Sequence, residues 1–193
     1  MARADPGICG DPDFYNDESV SEWVNLNVFV ARLRGKGIFP DDTYAILEIQ
    51  RGLEQEFPDT GLARQYTLRI ASQWILQAGV QLLNGALSDD IVDEVELRIT
   101  QTGPLFAALG GKPGLGMNRW RFWLKRLEDL GWEGGEDETR PERLEARQAY
   151  QHMKKITEQD SRVIVRRLGT NEEDEKATPA GEDSAPRDTE NRE

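Results

Sequence analysis

The segment Leu62–Leu83 constrains the fold more than any other part of this chain. It contains no proline, and apolar residues cover most of its circumference when it is drawn as a helix. At 1.5 Å per residue, such a helix is roughly 33 Å long. A helix that is apolar on most of its faces is usually buried at the centre of a fold. We therefore expect the remaining elements to pack around it.

A shorter amphipathic helix is predicted before this segment. Ser19 and Glu22 have the spacing of a capping box, which marks the first turn of a helix. Apolar residues then follow at steps of three, four and three, as on one face of a helix. That predicted core stripe consists of Trp23, Leu26, Val30 and Leu33, widened by Phe29.

Three further helices are predicted from their apolar stripes. One lies between Pro40 and Pro58, one covers about residues 118–130, and one begins near Pro141 and extends as far as Leu168. Residues 88–100 suit a short helix or irregular chain, and the glycines of 103–116 predict a loop. The stripes are Ile46, Ile49, Leu53 and Phe57; Trp120, Trp123, Leu127 and Leu130; and Leu144, Ala149, Tyr150, Met153 and Ile156. The predicted fold is an all-α, single-domain bundle of five or six helices.

Charge and hydropathy divide the chain into three parts. Gly169–Glu193 carries nine acidic and three basic residues and no Val, Ile, Leu or aromatic residue. Such a segment cannot bury enough apolar surface to offset the entropy of ordering. We expect an acidic disordered leader at 1–19, a helical domain at 20–168 and an acidic disordered tail at 169–193. Because neither a signal peptide nor a membrane span is visible, we expect an intracellular protein, cytoplasmic or nuclear.

The residues that most often carry chemistry are scarce. Cys9 is the only cysteine and His152 the only histidine, so a Cys/His metal site and a His-based triad cannot be built. Asp89, Asp90, Asp93 and Glu94 lack the spacing of a calcium loop, and we interpret them as charges at the start of a helix. We predict no catalytic residue, metal or cofactor.

Two motifs suggest nucleotide or nucleic-acid binding, and each is incomplete. In Gly110–Gly116, Pro113 stands where a phosphate-binding P-loop needs Ser or Thr, which favours a flexible connector. Arg119–Arg126 alternates basic and aromatic residues, but helical spacing separates a core stripe from a solvated basic flank. The formal net charge of −12 also opposes binding to a phosphate backbone. We do not expect nucleic acid as a partner.

Three segments resemble a known family. They are Leu26–Leu33 after Trp23 (LNVFVARL), Ala71–Gly79 (ASQWILQAG) and Arg119–Trp123 (RWRFW). In this order they resemble an uncharacterised, all-helical domain-of-unknown-function family from filamentous fungi, over about Trp23–Ile156. The resemblance implies a helical domain of fungal origin and assigns no catalytic residue. Gly52 stands where the family's pattern has alanine, although glycine costs ~1 kcal/mol inside a helix.

Four polar residues lie beside the predicted stripes within the resembling segments: Asn27, Arg32, Gln73 and Gln77. If they are buried they need hydrogen-bond partners. Arg32 could bridge to Glu54, so that the group forms a polar network between helices. Alternatively, the four side chains line a pocket for a small molecule.

These features favour a non-enzymatic interaction or scaffold protein that binds an unknown protein partner or itself. The alternative is a small-molecule-binding accessory protein or enzyme of a fungal secondary-metabolite gene cluster. A filled core with an exposed apolar surface favours the first function. An enclosed cavity with convergent polar groups favours the second.

Overall fold

The computed structural model describes residues 17–56, 61–88, 93–132 and 140–160. Helices account for most of these residues. In chain order they are α1 (Asp17–Gly35), α2 (Thr43–Leu53), α3 (Leu62–Leu87), α4 (Glu94–Ile99), α5 (Pro104–Ala108), α6 (Met117–Trp132) and α7 (Pro141–Gln159).

The long helix α3 lies at the centre, as predicted. It packs against α1, α2 and α7 along most of its length and touches α6 as well. Trp74, Ile75 and Leu82 are completely buried, because neighbouring helices cover α3 on several sides. Its apolar surface extends one turn beyond the predicted end, to Leu87, which is also buried.

Close contacts between α2 and α3 explain the unexpected glycine. Gly52 is buried at the crossing of these two helices. A Cβ atom at this position would collide with the backbone oxygen of Thr67 and lie 2.7 Å from the Cβ of Ala71. Because the backbones approach so closely, glycine packs here where alanine would not fit, despite its lower helix propensity.

The all-α class is confirmed, but the predicted number of helices is wrong. The described part of the chain contains seven helices, because α5 forms within what was predicted as a continuous glycine-rich loop. Pro104 at the start of α5 fixes a backbone angle that suits the first turn of a helix. The short helix expected in residues 88–100 is present as α4.

The predicted core stripe of α1 is confirmed only in part, because Trp23 and Val30 are partly buried against the core but Leu26 and Phe29 are not. Leu26 and Phe29 are 44% and 57% exposed, whereas Val20, Val24 and Ala31 on another face are buried. The smaller residues face α3, and the backbone of Gly35 meets the backbone of Gln77 there. The helix also begins at Asp17, two residues before the predicted cap. A similar correction applies in α7, where Leu144 is 43% exposed and Ala146, Ala149 and Met153 are buried.

Several sequence predictions concern residues outside the described part of the chain. These are the acidic tail 169–193, most of the leader 1–19, and the extension of α7 toward Leu168. Among the residues that are described, no helix is long and apolar enough to cross a membrane.

Candidate functional site

A buried ion pair joins α2, the segment around α5 and α6. Arg119 on α6 is 1% exposed and Glu54, which follows the last residue of α2, is completely buried. The guanidinium Nε and Nη2 donate to the two carboxylate oxygens of Glu54 at 2.7 and 3.1 Å. Trp123 Nε1 and the backbone N–H of Gly103 donate to the same carboxylate at 2.6 and 2.7 Å. We call these four residues the Glu54–Arg119 junction.

The remaining donors of Arg119 bind backbone oxygens of the connection between α4 and α6. Nη1 donates to Thr100 and Gly114 at 2.8 and 2.9 Å, and Nη2 donates to Gln101 at 2.9 Å. A guanidinium has five N–H groups, and all five now have acceptors. The junction therefore ties the glycine-rich segment to the core, and that segment is held in place where the sequence predicted a flexible connector.

Aromatic rings and a closely approaching backbone segment surround the ion pair of the junction. The guanidinium carbon of Arg119 lies 5.5 Å from the Trp123 ring centroid and 5.9 Å from that of Phe106. A Cβ atom on Gly103 would lie 2.5 Å from the Cβ of Glu54, so glycine is needed for the chain to approach the carboxylate. Because every polar atom of the ion pair is engaged internally, this charged pair has no free donor for a substrate.

The four polar residues predicted as a network or pocket do not form one group. Asn27 is completely buried, accepts a hydrogen bond from Trp74 Nε1 at 3.0 Å and donates to the backbone oxygen of Trp23 at 3.1 Å. Gln77 donates to Gln73 at 3.3 Å, and Gln73 donates to Glu145 of α7 at 3.2 Å. These bonds connect α3 to α1 on one side and to α7 on another.

Arg32 belongs to neither group. Its side chain is exposed on α1, and the suggested bridge from Arg32 to Glu54 is wrong, because the Glu54 carboxylate binds Arg119. The sequence carried a signal for the correct partner. Arg119 precedes Trp123 by four residues and so shares the buried face of α6. The basic residues of this helix were instead assigned to a solvated flank.

A large surface groove lies between the glycine-rich loop and the first turns of α6. Its volume is about 710 Å³, and its walls include Leu109, Lys112, Arg121 and Phe122. The loop beside it is fixed by the bond from Arg119 to Gly114 and by a bond from the Gly111 N–H to the Phe106 oxygen at 3.0 Å. We call this the glycine-loop groove.

A second surface of interest is the outward side of α1. Leu26 and Phe29 are exposed there, while Trp23, Val30 and Leu33 on the same side are half-buried. We call these five residues the outer face of α1. Ile38, which follows the helix, is 66% exposed. Exposed apolar side chains in such density commonly mark an interaction surface.

Burial and hydrogen bonds shift the pKa values of titratable groups outside the junction. Burial lowers the pKa of half-buried His152 on α7, and the nearby charge of Lys155 lowers it further. Hydrogen bonds from Lys125 and then from Tyr150 lower the pKa of Glu128. Among the described residues, no group of three or more His, Cys, Asp or Glu side chains is placed to hold a metal ion.

Comparison with known families finds one family, whose function is unknown. The family described as "Protein of unknown function (DUF3632)" matches residues 5–127, which span α1 to most of α6. The chain belongs to this family. No curated protein and no solved structure matches it.

Proposed function

We propose that this protein is a non-enzymatic interaction module in which the outer face of α1 binds the same face of a second copy. The observation that carries this proposal is the exposure of Leu26 and Phe29, at 44% and 57%, on a helix whose opposite side is fully packed. Placing such side chains against a partner removes apolar surface from water, at about 25 cal/mol per Å².

The spacing of the outer face suits a second helix as its partner. Trp23, Leu26, Val30 and Leu33 follow each other at steps of three, four and three residues. This is the repeat with which two helices interlock in a coiled coil. Trp23 and Val30 pack against the protein's own core at the edge of this stripe, and we propose that Leu26, Phe29 and Leu33 contact the second copy.

Charges at the ends of the outer face favour an antiparallel arrangement of two copies. Glu22 and Lys36 lie seven residues before and after Phe29. When two copies meet about a two-fold axis near Phe29, Glu22 of each copy approaches Lys36 of the other. Self-complementary surfaces of this kind are typical of symmetric dimers.

The internal polar groups support a scaffold more than a catalyst. The donors of Arg119 and the side chain of Asn27 are engaged in bonds between helices. The bond from Trp74 to Asn27 joins α1 to the central helix and so helps to keep the outer face of α1 in a fixed position, while Arg119 joins α6 to the end of α2. We propose a fungal source from the resemblance of its motifs, and a location in the cytoplasm or nucleus from the sequence pattern, in which neither a signal peptide nor a membrane span is predicted.

Sedimentation velocity over a concentration series tests the proposal. The full chain is expected to shift from monomer to dimer as concentration rises through the micromolar range, and Phe29→Glu is expected to remain monomeric because two charges would meet at the axis. Val95→Glu is the matched control, since Val95 of α4 is 62% exposed. A wild-type chain that stays monomeric at about 100 μM, or a Phe29→Glu chain that still dimerises, would overturn the proposal.

A second candidate function is supported by the glycine-loop groove. A volume of about 710 Å³ is in the range of small-molecule sites. In this alternative the protein is a small-molecule-binding accessory protein of a fungal biosynthetic gene cluster. Native mass spectrometry of the chain purified from a fungal host tests it, because a bound compound would add mass that disappears on denaturation. A native mass equal to that of the bare chain or its dimer would exclude a tightly bound ligand.

A further inference from the structure

The glycine-loop groove differs in charge from the rest of this acidic protein. Its lining contains four cationic side chains and no Asp or Glu, although the whole chain has a formal net charge of −12. A groove of one charge sign in a protein of the opposite sign attracts ligands selectively. The groove is thus set up for a negatively charged ligand.

Two of the four cations are neutralised by their own neighbours. Arg119 is paired with Glu54, and Lys125 binds Glu128 and Asp129 at 2.9 Å each. The other two, Lys112 and Arg121, are exposed and form no ion pair within the described part of the chain. Their charges remain available to a ligand.

Lys112 and Arg121 line the same groove. Lys112 lies in the loop that forms one wall, and Arg121 lies in the first half of α6, which forms the other. Met117 and Asn118 at the amino end of α6 also line the groove, and the start of a helix adds positive potential to its surroundings. Arg121 can also hold a carboxylate or phosphate through two parallel hydrogen bonds.

The groove also offers apolar and aromatic contact surface. Phe106 and Phe122 line it and pack against each other with ring centroids 5.1 Å apart. Leu109 on the rim is 74% exposed. A bare inorganic anion would leave these side chains uncovered, whereas an anion attached to a flat apolar body would cover them.

We propose that the glycine-loop groove binds a small aromatic anion, whose charged group lies between Lys112 and Arg121 and whose ring covers Phe122 and Leu109. This inference rests on the second candidate function and is independent of self-association through α1. The Glu54–Arg119 junction acts as a positioning element, because it fixes the loop that carries Lys112.

Titration calorimetry of the full chain with 2-naphthoate, 1-naphthyl phosphate and uncharged 2-naphthalenemethanol tests the site. All three compounds share the naphthalene ring, and 2-naphthoate carries its substituent at the same ring position as the alcohol, so this pair isolates the charge. We expect both anions to bind at least about tenfold more tightly than the alcohol, and their affinity to fall as salt rises. Equal affinity for the alcohol, or no binding of either anion at about 1 mM, would overturn the proposal.

Variants locate the binding. Lys112→Gln and Arg121→Gln are each expected to weaken naphthoate binding about tenfold, while Lys154→Gln, which removes an exposed cation on α7, leaves it unchanged. Circular dichroism and sedimentation confirm that the variants keep their helices and their oligomeric state. Naphthoate binding that survives both Lys112→Gln and Arg121→Gln would overturn the groove as the site while leaving small-molecule binding elsewhere in place.

Discussion

Charged residues are usually exposed and large apolar residues are usually buried. The Glu54–Arg119 junction reverses the first rule, and the outer face of α1 reverses the second. The junction buries two charges, with exposures of 0% and 1%, and satisfies them with hydrogen bonds. The outer face exposes Leu26 and Phe29 to solvent, while Trp23 and Val30 at its edge pack against the core. The difference shows where to look for function, since a satisfied buried pair serves the fold, whereas an exposed apolar surface is available to a partner.

The largest expected loss of stability comes from removing one charge of the Glu54–Arg119 junction. Arg119→Met leaves the Glu54 carboxylate buried without its cation, which typically costs about 3–5 kcal/mol of stability. Urea unfolding followed by circular dichroism measures the loss. The double variant Glu54→Gln/Arg119→Met removes both charges and should lose less than the single variant. A loss below about 1 kcal/mol for Arg119→Met would mean that the pair is not essential for packing.

A matched pair of variants tests which side of α1 belongs to the core. Val24→Ser acts on a residue that is 6% exposed and Phe29→Ser on one that is 57% exposed. We expect Val24→Ser to cost about 2–3 kcal/mol, because apolar contact is lost and a hydroxyl is buried. Phe29→Ser should change the free energy of unfolding by less than about 0.5 kcal/mol.

Both measurements should be made at a concentration where the chain is monomeric, since dimerisation would add its own stability. If Phe29→Ser proved the more costly of the two, the packing of α1 described here would be wrong.

The sequence could predict α3 and α6 because each has one unambiguous pattern. α3 is apolar nearly all round, and in α6 the stripe of Trp120, Trp123 and Leu127 has a polar opposite side. α1 has two apolar sides, and the larger side chains suggested the wrong one. Val20, Val24 and Ala31 are small enough for α1 to pack closely against α3. The spacing of apolar residues does not predict how closely two helix backbones approach each other.

The candidate sites were harder to predict because they depend on contacts distant in sequence. Glu54 and Arg119 are separated by 65 residues, and nothing local links them. The glycine-loop groove combines α5, a loop and α6, and α5 itself was not predicted. The sequence did identify the glycine loop and the basic residues of α6 as separate motifs, but only the fold brings Lys112 and Arg121 to one groove.

The smallest expected effect is a change in the pH dependence of stability caused by His152, a half-buried side chain near the positive charge of Lys155. Burial, and then Lys155, lower its pKa below the ordinary value of 6.5, so near this pH the unfolded chain binds more protons than the folded one. Stability from this residue is therefore fully present above pH 6.5 and is lost as pH falls toward the folded pKa. His152→Gln should lose less stability than the wild type between pH 7.5 and 5.5 in urea unfolding. If both proteins lost the same stability over this pH range, His152 would be as well solvated in the folded chain as in the unfolded chain. A charge at the α3–α7 contact would then cost little, in contrast to an unpaired charge at the Glu54–Arg119 junction.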